Sequence, residues 1–112
     1  MSTIEIRYLP TFDRKLKKLN LNEKIIKDLI YKELQHYVDE NPESYYFPDS
    51  GAGIGNIWKL RVKGRGGFRA IYFAVPQTRH FDFITIYPKN KQANLTNDQI
   101  KIISKIIKRL ER

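Results

Sequence analysis

The apolar positions of this chain recur with two periods, and the places where one period gives way to the other mark its elements. Thr3 to Arg7 alternates, with Ile4 and Ile6 on one side and Glu5 and Arg7 on the other, which predicts a short edge strand. Pro10 stops it. With Thr11 as N-cap, Phe12, Leu16 and Leu19 at i, i+4 and i+7 predict a short amphipathic helix. Asn20-Leu21-Asn22 breaks that helix, and Asn22 caps a second one running from about Glu23 to Glu40. The apolar stripe of the second helix is Ile26, Ile30 or Leu29, Leu34, and Tyr37 with Val38. Asn41-Pro42 ends it, because proline restricts the residue before it and cannot continue the ladder. Two helices joined this closely form a helical hairpin, able to cover a sheet as a second layer.

Period two returns at Asn56 to Tyr87. Trp58, Leu60 and Val62 point one way, and Ile57, Lys59, Arg61 and Lys63 the other. A strand needs one apolar face to join a core, so the basic face is expected to be open to something else. Lys63-Gly64-Arg65-Gly66-Gly67 is a tight reversal. Phe68 to Val75 is apolar on both faces except at Arg69, which predicts a central strand. Phe81 to Tyr87 completes a three-strand meander. Beyond the polar loop from Pro88 to Asn94, Thr96 and Gln99 form a capping box, with Leu95 and Ile100 placed as a hydrophobic staple. The last helix carries Ile100, Ile103, Ile106 or Ile107, and Leu110, with Ile102 widening the stripe. The fold class expected is α+β: an antiparallel-rich sheet of an N-terminal strand and a three-strand meander, packed against an N-terminal helical hairpin, with a C-terminal helix.

Composition adds bounds. A length of 112 residues suits a single domain spanning 1–112, with no run long enough to cross a membrane and no signal peptide. There is no cysteine, hence no disulfide, thiolate chemistry or cysteine metal site, and a cytoplasmic location fits. Charge changes the picture more. Residues 1–56 hold 8 Lys+Arg against 9 Asp+Glu, whereas residues 57–112 hold 13 against 3. A one-sided positive field of this kind attracts a polyanion. Solvated lysines on the last helix explain part of it. The strand cluster Lys59, Arg61, Lys63, Arg65 and Arg69, which no acidic residue interrupts, points to an RNA-binding surface. A lone arginine in an apolar strand is costly unless it meets solvent, a carboxylate such as Asp82, or a ligand phosphate.

Other features carry less. Gly51, Gly53 and Gly55 lack the Gly-Lys-Ser/Thr of a nucleotide loop, and a strand follows them rather than a helix. Tyr45, Tyr46 and Phe47 suit an anchor over a core edge or a stacking platform for bases. His36 lies in the second helix, and His80 opens the third strand of the meander. No carboxylate or histidine cluster has metal-ligand spacing, so neither metal nor cofactor is expected.

The order strand, short helix, long helix, three-strand meander and last helix resembles the RelE/ParE superfamily of toxins from type II toxin–antitoxin systems. Ile57-Trp58-Lys59-Leu60-Arg61 with Gly66-Gly67-Phe68-Arg69-Ala70-Ile71-Tyr72 looks like its HigB-type branch, as does Tyr87-Pro88-Lys89 leading through Lys91 and Gln92 to Leu95-Thr96. The resemblance covers nearly the whole chain. It implies a ribosome-dependent endoribonuclease that cuts translated mRNA in the A site, silenced by a cognate antitoxin in a hetero-oligomer. Metal-independent cleavage by 2′-OH attack needs a base, cationic stabilisation of the crowded phosphate, and an acid for the leaving oxygen. Carried over position by position, the family's basic sheet positions fall on Lys59, Arg61 and Arg69, and its end-of-strand residues on Tyr87 and Lys89. Arg69 and Arg61 are expected to hold the phosphate, and Lys89 or Tyr87 to handle protons. The run of cations itself leads to Lys59, Lys63, Arg65 and Lys91 as RNA contacts. The chain departs from the pattern at Pro88, which stiffens the link from Tyr87 to Lys89. Two other readings stay open: a gyrase-poisoning toxin of the same fold, and a nucleic-acid-binding module without catalysis.

Overall fold

Seven elements follow one another: β1 (Glu5–Tyr8), α1 (Pro10–Lys18), α2 (Glu23–Glu40), β2 (Ile57–Val62), β3 (Phe68–Val75), β4 (His80–Pro88) and α3 (Asn97–Leu110). The computed structural model describes residues 4–40, 57–63, 67–75 and 80–110. Arg65, the stretch 41–56 and most of the β2–β3 reversal lie outside the described residues. The strands form one mixed sheet in the order β1-β4-β3-β2. The meander β2-β3-β4 is antiparallel, and β1 joins β4 in parallel at the edge. The expected α+β architecture is what the chain adopts, with Phe68–Val75 as an inner strand.

Local chemistry explains each junction. The first helix does not start on Thr11. Leu9 occupies the N-cap position and Pro10 stands at the start of α1, where its missing N–H costs nothing. The Thr11 hydroxyl instead donates to the Ile84 carbonyl at 2.6 Å and ties α1 to β4. At the other end Asn20 adopts a left-handed φ of 56°. Asn20 N–H then reaches Lys17 O at 3.0 Å, and Leu21 N–H reaches Leu16 O at 3.0 Å, which closes the helix in a Schellman motif. Asn22 caps α2 through Ile25 N–H at 3.1 Å, as its position in the sequence suggests. The capping box of α3 forms in both directions: Gln99 N–H donates to Thr96 Oγ1 at 3.2 Å, and Thr96 N–H donates to Gln99 Oε1 at 2.9 Å.

The sheet divides the core in two. On one face Leu60, Val62, Ala70, Tyr72, Phe81 and Phe83 pack against Phe12 and Leu16 of α1 and the Ile26, Ile30, Leu34, Val38 stripe of α2. On the other face Ile57, Ile71, Phe73, Ile84 and Tyr87 pack against Ile103 and Ile107 of α3. This corrects one expectation. The face of β2 that carries Lys59 and Arg61 is not open along its length, because α3 covers its apolar part at Ile57. Its basic part lies beyond the helix.

A β-bulge decides which residues of β4 share that face. Ile71 aligns with Thr85 and Tyr72 with Phe83, so Ile84 is the extra residue. Before the bulge Phe81 and Phe83 face the helical hairpin. After it the parity changes: Ile86 takes the hairpin side and Tyr87 the α3 side.

Candidate nucleic-acid interface

The register of the meander assembles the site. Arg61 of β2 lies directly opposite Arg69 of β3, and Arg69 lies directly opposite Tyr87 of β4. The three form one row across the sheet on the α3 side, at the end nearest the β2–β3 reversal. Directly opposed residues in an antiparallel pair have Cα atoms about 4.5–5.5 Å apart. Two arginines at opposed positions bring two positive charges to one place on the sheet, a setting that favours an anion. Arg61 is exposed and Arg69 half-buried. Neither β2, β3 nor residues 89–96 carry any carboxylate.

Asp82 is not a partner of Arg69. It aligns with Phe73, four residues along the strand, and is spoken for there. Arg7 Nε and Nη2 grip its two oxygens at 2.9 and 3.1 Å, and His80 Nε2 lies 2.9 Å from Oδ1. His80 Nδ1 faces Glu5 Oε2 at 3.3 Å. This cluster joins β1 to β4. Seven residues of strand separate His80 from Tyr87, roughly 20 Å at the rise of a β-strand. The histidine therefore takes no part in the arginine row.

Around the row stand the remaining cations. Lys63 is exposed at the end of β2. Lys59, two residues from Arg61, donates to Asn94 Oδ1 at 3.2 Å. Pro88 aligns with Phe68 past the end of β1, where a missing N–H leaves no ladder bond unmade. Lys89 N–H then donates to Gly67 O at 3.1 Å, and Lys91 N–H closes a turn onto Pro88 O at 3.1 Å. Gly67 has a φ of 73°, and a side chain there would approach the Lys89 stem at 3.9 Å. Lys89 is thus held beside the β3 end of the row, exposed, with Lys91 exposed on the same turn.

Tyr87 is different. Only 1% of it is exposed, and its hydroxyl donates to Ala93 O at 3.4 Å under residues 89–96. Burial raises its phenol above the ordinary value, and the Arg69 guanidinium opposes that shift without cancelling it. Tyr87 is therefore a neutral phenol near pH 7, opposite Arg69 in the register, with its hydroxyl donated to Ala93 O. Its hydroxyl meets an RNA only when residues 89–96 move.

The sequence alone did not single out what holds that segment. Gln92 Nε2 donates to Asn94 O and to Gln99 Oε1, each at 2.9 Å, so the capping box of α3 also fixes the loop. The one signal available was Gln99 itself, a capping residue with acceptor capacity to spare. Among the described residues no group of three or more His, Asp or Glu side chains is arranged to hold a metal ion, and no helix is long and apolar enough to cross a membrane.

No family model matches the chain. A solved structure does: the Escherichia coli toxin RelE, as a doubly substituted mutant in the free state, superposes with a TM-score of 0.54 over 82% of this chain and 90% of that one, at 16% sequence identity. At that identity the likeness concerns architecture, and the strand order, helical hairpin and C-terminal helix described above give this chain a RelE-like fold.

Proposed function

We propose that this chain is the toxin of a type II toxin–antitoxin pair, of the HigB-like branch, and that it cleaves translated mRNA in the ribosomal A site. The observation that carries the proposal is the directly opposed Arg61–Arg69 pair, with no carboxylate in β2, β3 or residues 89–96. A phosphate bound between the two would meet both guanidinium forks, whose geometry matches its oxygens. The RelE-like fold and the motifs around Arg69 and Lys89 support the same reading.

In this mechanism the 2′-oxygen attacks the adjacent phosphorus as its proton is withdrawn, and the 5′-oxygen leaves with a proton. The products are a 2′,3′-cyclic phosphate and a 5′-hydroxyl. Arg61 and Arg69 stabilise the charge that grows on the phosphoryl oxygens. Lys89 is assigned the exchange of a proton with the scissile linkage, a role that its exposure beside Gly67 supports. Tyr87 orients Arg69 and residues 89–96. Lys59, Lys63, Arg65 and Lys91 neutralise flanking phosphates. The protein acts in the cytoplasm as a single domain, and a cognate antitoxin silences it in a hetero-oligomer.

The test is to map mRNA 5′ ends in a translating system with the protein added. New ends at defined positions within ribosome-bound codons are expected. Intact mRNA together with inhibited DNA supercoiling would instead identify a gyrase poison, and intact mRNA with RNA binding alone a non-catalytic module.

A further inference from the structure

Away from the arginine row, a groove runs between α1 and α3. Its first part, a cavity of about 180 Å³, is floored by Ile84, Thr85 and Ile103, with Ile102 and Ile106 on its α3 wall. Its second part, about 390 Å³, continues past Ile106 to Leu9, Pro10 and Leu110. Thr11 and Ile106 line both parts, so the two form one trough. The trough is strongly apolar at its base. Ile102, which lines the first part, is 57% exposed and so extends the apolar surface of the trough to solvent.

The rim has the opposite character. Lys15 borders the first part, and the exposed Arg14 of α1 and Arg109 of α3 border the second. No carboxylate among the described residues pairs with any of these three. Helical spacing adds Lys18 to the Arg14–Lys15 side and Lys105 to the Arg109 side.

We propose that this groove is the docking site for an acidic, amphipathic segment of a partner protein, its aliphatic side chains in the trough and its carboxylates on the rim. The segment's chemistry follows from the groove; that it belongs to the cognate antitoxin rests on the function proposed above. A nucleic acid fits the same surface poorly. Among the described residues no aromatic side chain lines the trough to stack a base, and apart from the rim cations a ribose–phosphate backbone would meet only Thr11, Thr85 and Gln99 among leucine, isoleucine and proline. An apolar segment without acids would bring no charge to match the rim cations. An acidic segment also gains electrostatic steering from the basic half of the molecule.

The experiment uses a synthetic helical peptide with leucines at i, i+4, i+7 and i+11 and glutamates flanking them. Two control peptides replace the glutamates by lysines or the leucines by serines, and single-stranded oligouridylate serves as the RNA probe. Binding is read by fluorescence anisotropy, and the site by amide chemical-shift changes on the isotope-labelled protein. The glutamate–leucine peptide is expected to bind at least tenfold more tightly than either control, with shifts confined to residues 9–15, 84–85 and 99–110. Ile102→Glu combined with Arg109→Glu should lower that affinity at least tenfold, with the thermal midpoint and mRNA cleavage unchanged. Arg69→Ala should leave peptide binding intact. Equal binding of the lysine peptide, shifts centred on Arg61 and Arg69, or oligouridylate moving the groove amides would each overturn the proposal, as would no binding at all. If the peptide maps to the groove while the protein cuts no mRNA, the docking surface stands and the nuclease reading falls.

Discussion

Arg69 is the residue on which the functional reading turns, and its register partners make that reading testable. A structural arginine would be satisfied by a carboxylate, so its loss would lower stability. Here its nearest cross-strand neighbours are Arg61 and Tyr87. Arg69→Ala therefore breaks no carboxylate pair among the described residues, only a long hydrogen bond to Phe68 O at 3.5 Å, and the thermal midpoint should hold. Cleavage on saturated ribosomes should fall about a hundredfold, the equivalent of about 3 kcal/mol for one oriented transition-state donor, with Arg69→Lys recovering only part of it. A folded Arg69→Ala protein cleaving at the wild-type rate would move the catalytic role to Arg61 and Lys89. Two tyrosines give a second residue-level outcome. The phenols of Tyr8 and Tyr87 are both held above their ordinary value of 10.0, first by burial, with the charges of Asp13 and Asp28 adding to the shift at Tyr8. The unfolded chain ionises these groups near pH 10 while the folded chain keeps them neutral. Their contribution to stability is thus complete below pH 10 and is lost as pH rises beyond it. Denaturant melts followed from pH 8 to pH 12 should show that decline, and Tyr8→Phe should flatten it.

At the scale of elements, what was legible in the chain followed from period and from caps. The strict alternation of Ile57–Lys63, the i, i+4 stripe of α2 and the Thr96–Gln99 box were readable because each rests on neighbours in sequence. Thr11 was misread for an instructive reason. A hydroxyl at a helix start normally serves the helix, but a strand carbonyl at Ile84 lies close enough to take it, and Pro10 supplies a start that needs no cap. The placement of α3 over the Ile57 end of that face was equally hidden, because alternation gives the two faces of a strand without saying which neighbour covers either. The opposed arginines, by contrast, needed only the reversal to be tight. The box at the start of α3 does more than start a helix, since Gln99 also receives Gln92. Thr96→Ala should cost about 1 kcal/mol in chemical denaturation. It should also broaden the amide signals of residues 89–95, an effect that a cap serving the helix alone would not produce.

For the molecule as a whole, the asymmetry of charge sorts by structure as well as by sequence. The hairpin side is nearly balanced, and its ion pairs are local, such as Lys27 with Asp13 at 3.1 Å and with Glu23 at 2.5 Å. The cations of the meander end and of α3 have few acids near them in sequence. If the exposed Lys63 meets a phosphate, Lys63→Ala should weaken binding to ribosomes or RNA across sequences. The slope of log affinity against log salt should then become shallower by up to about one unit. Titrations at several ionic strengths decide this, and an unchanged slope would return Lys63 to the role of a solvated surface charge.

The bulge at Ile84 makes β4 a strand of two phases, and the number of residues in it matters as much as their side chains. Removing Thr85 would restore uninterrupted alternation from Phe81 onward and keep every face: Ile84 and Tyr87 with α3, Phe83 and Ile86 with the helical hairpin. Such a shortened strand is expected to fold and to cleave. One residue added between Thr85 and Ile86 would do the opposite. The phenol now opposite Arg69 would swing through the sheet toward the helical hairpin, and Ile86 would come up beneath α3 in its place. The insertion, a frameshift in the geometric sense, is expected to abolish cleavage and to leave a partly folded chain, as judged by near- and far-ultraviolet circular dichroism.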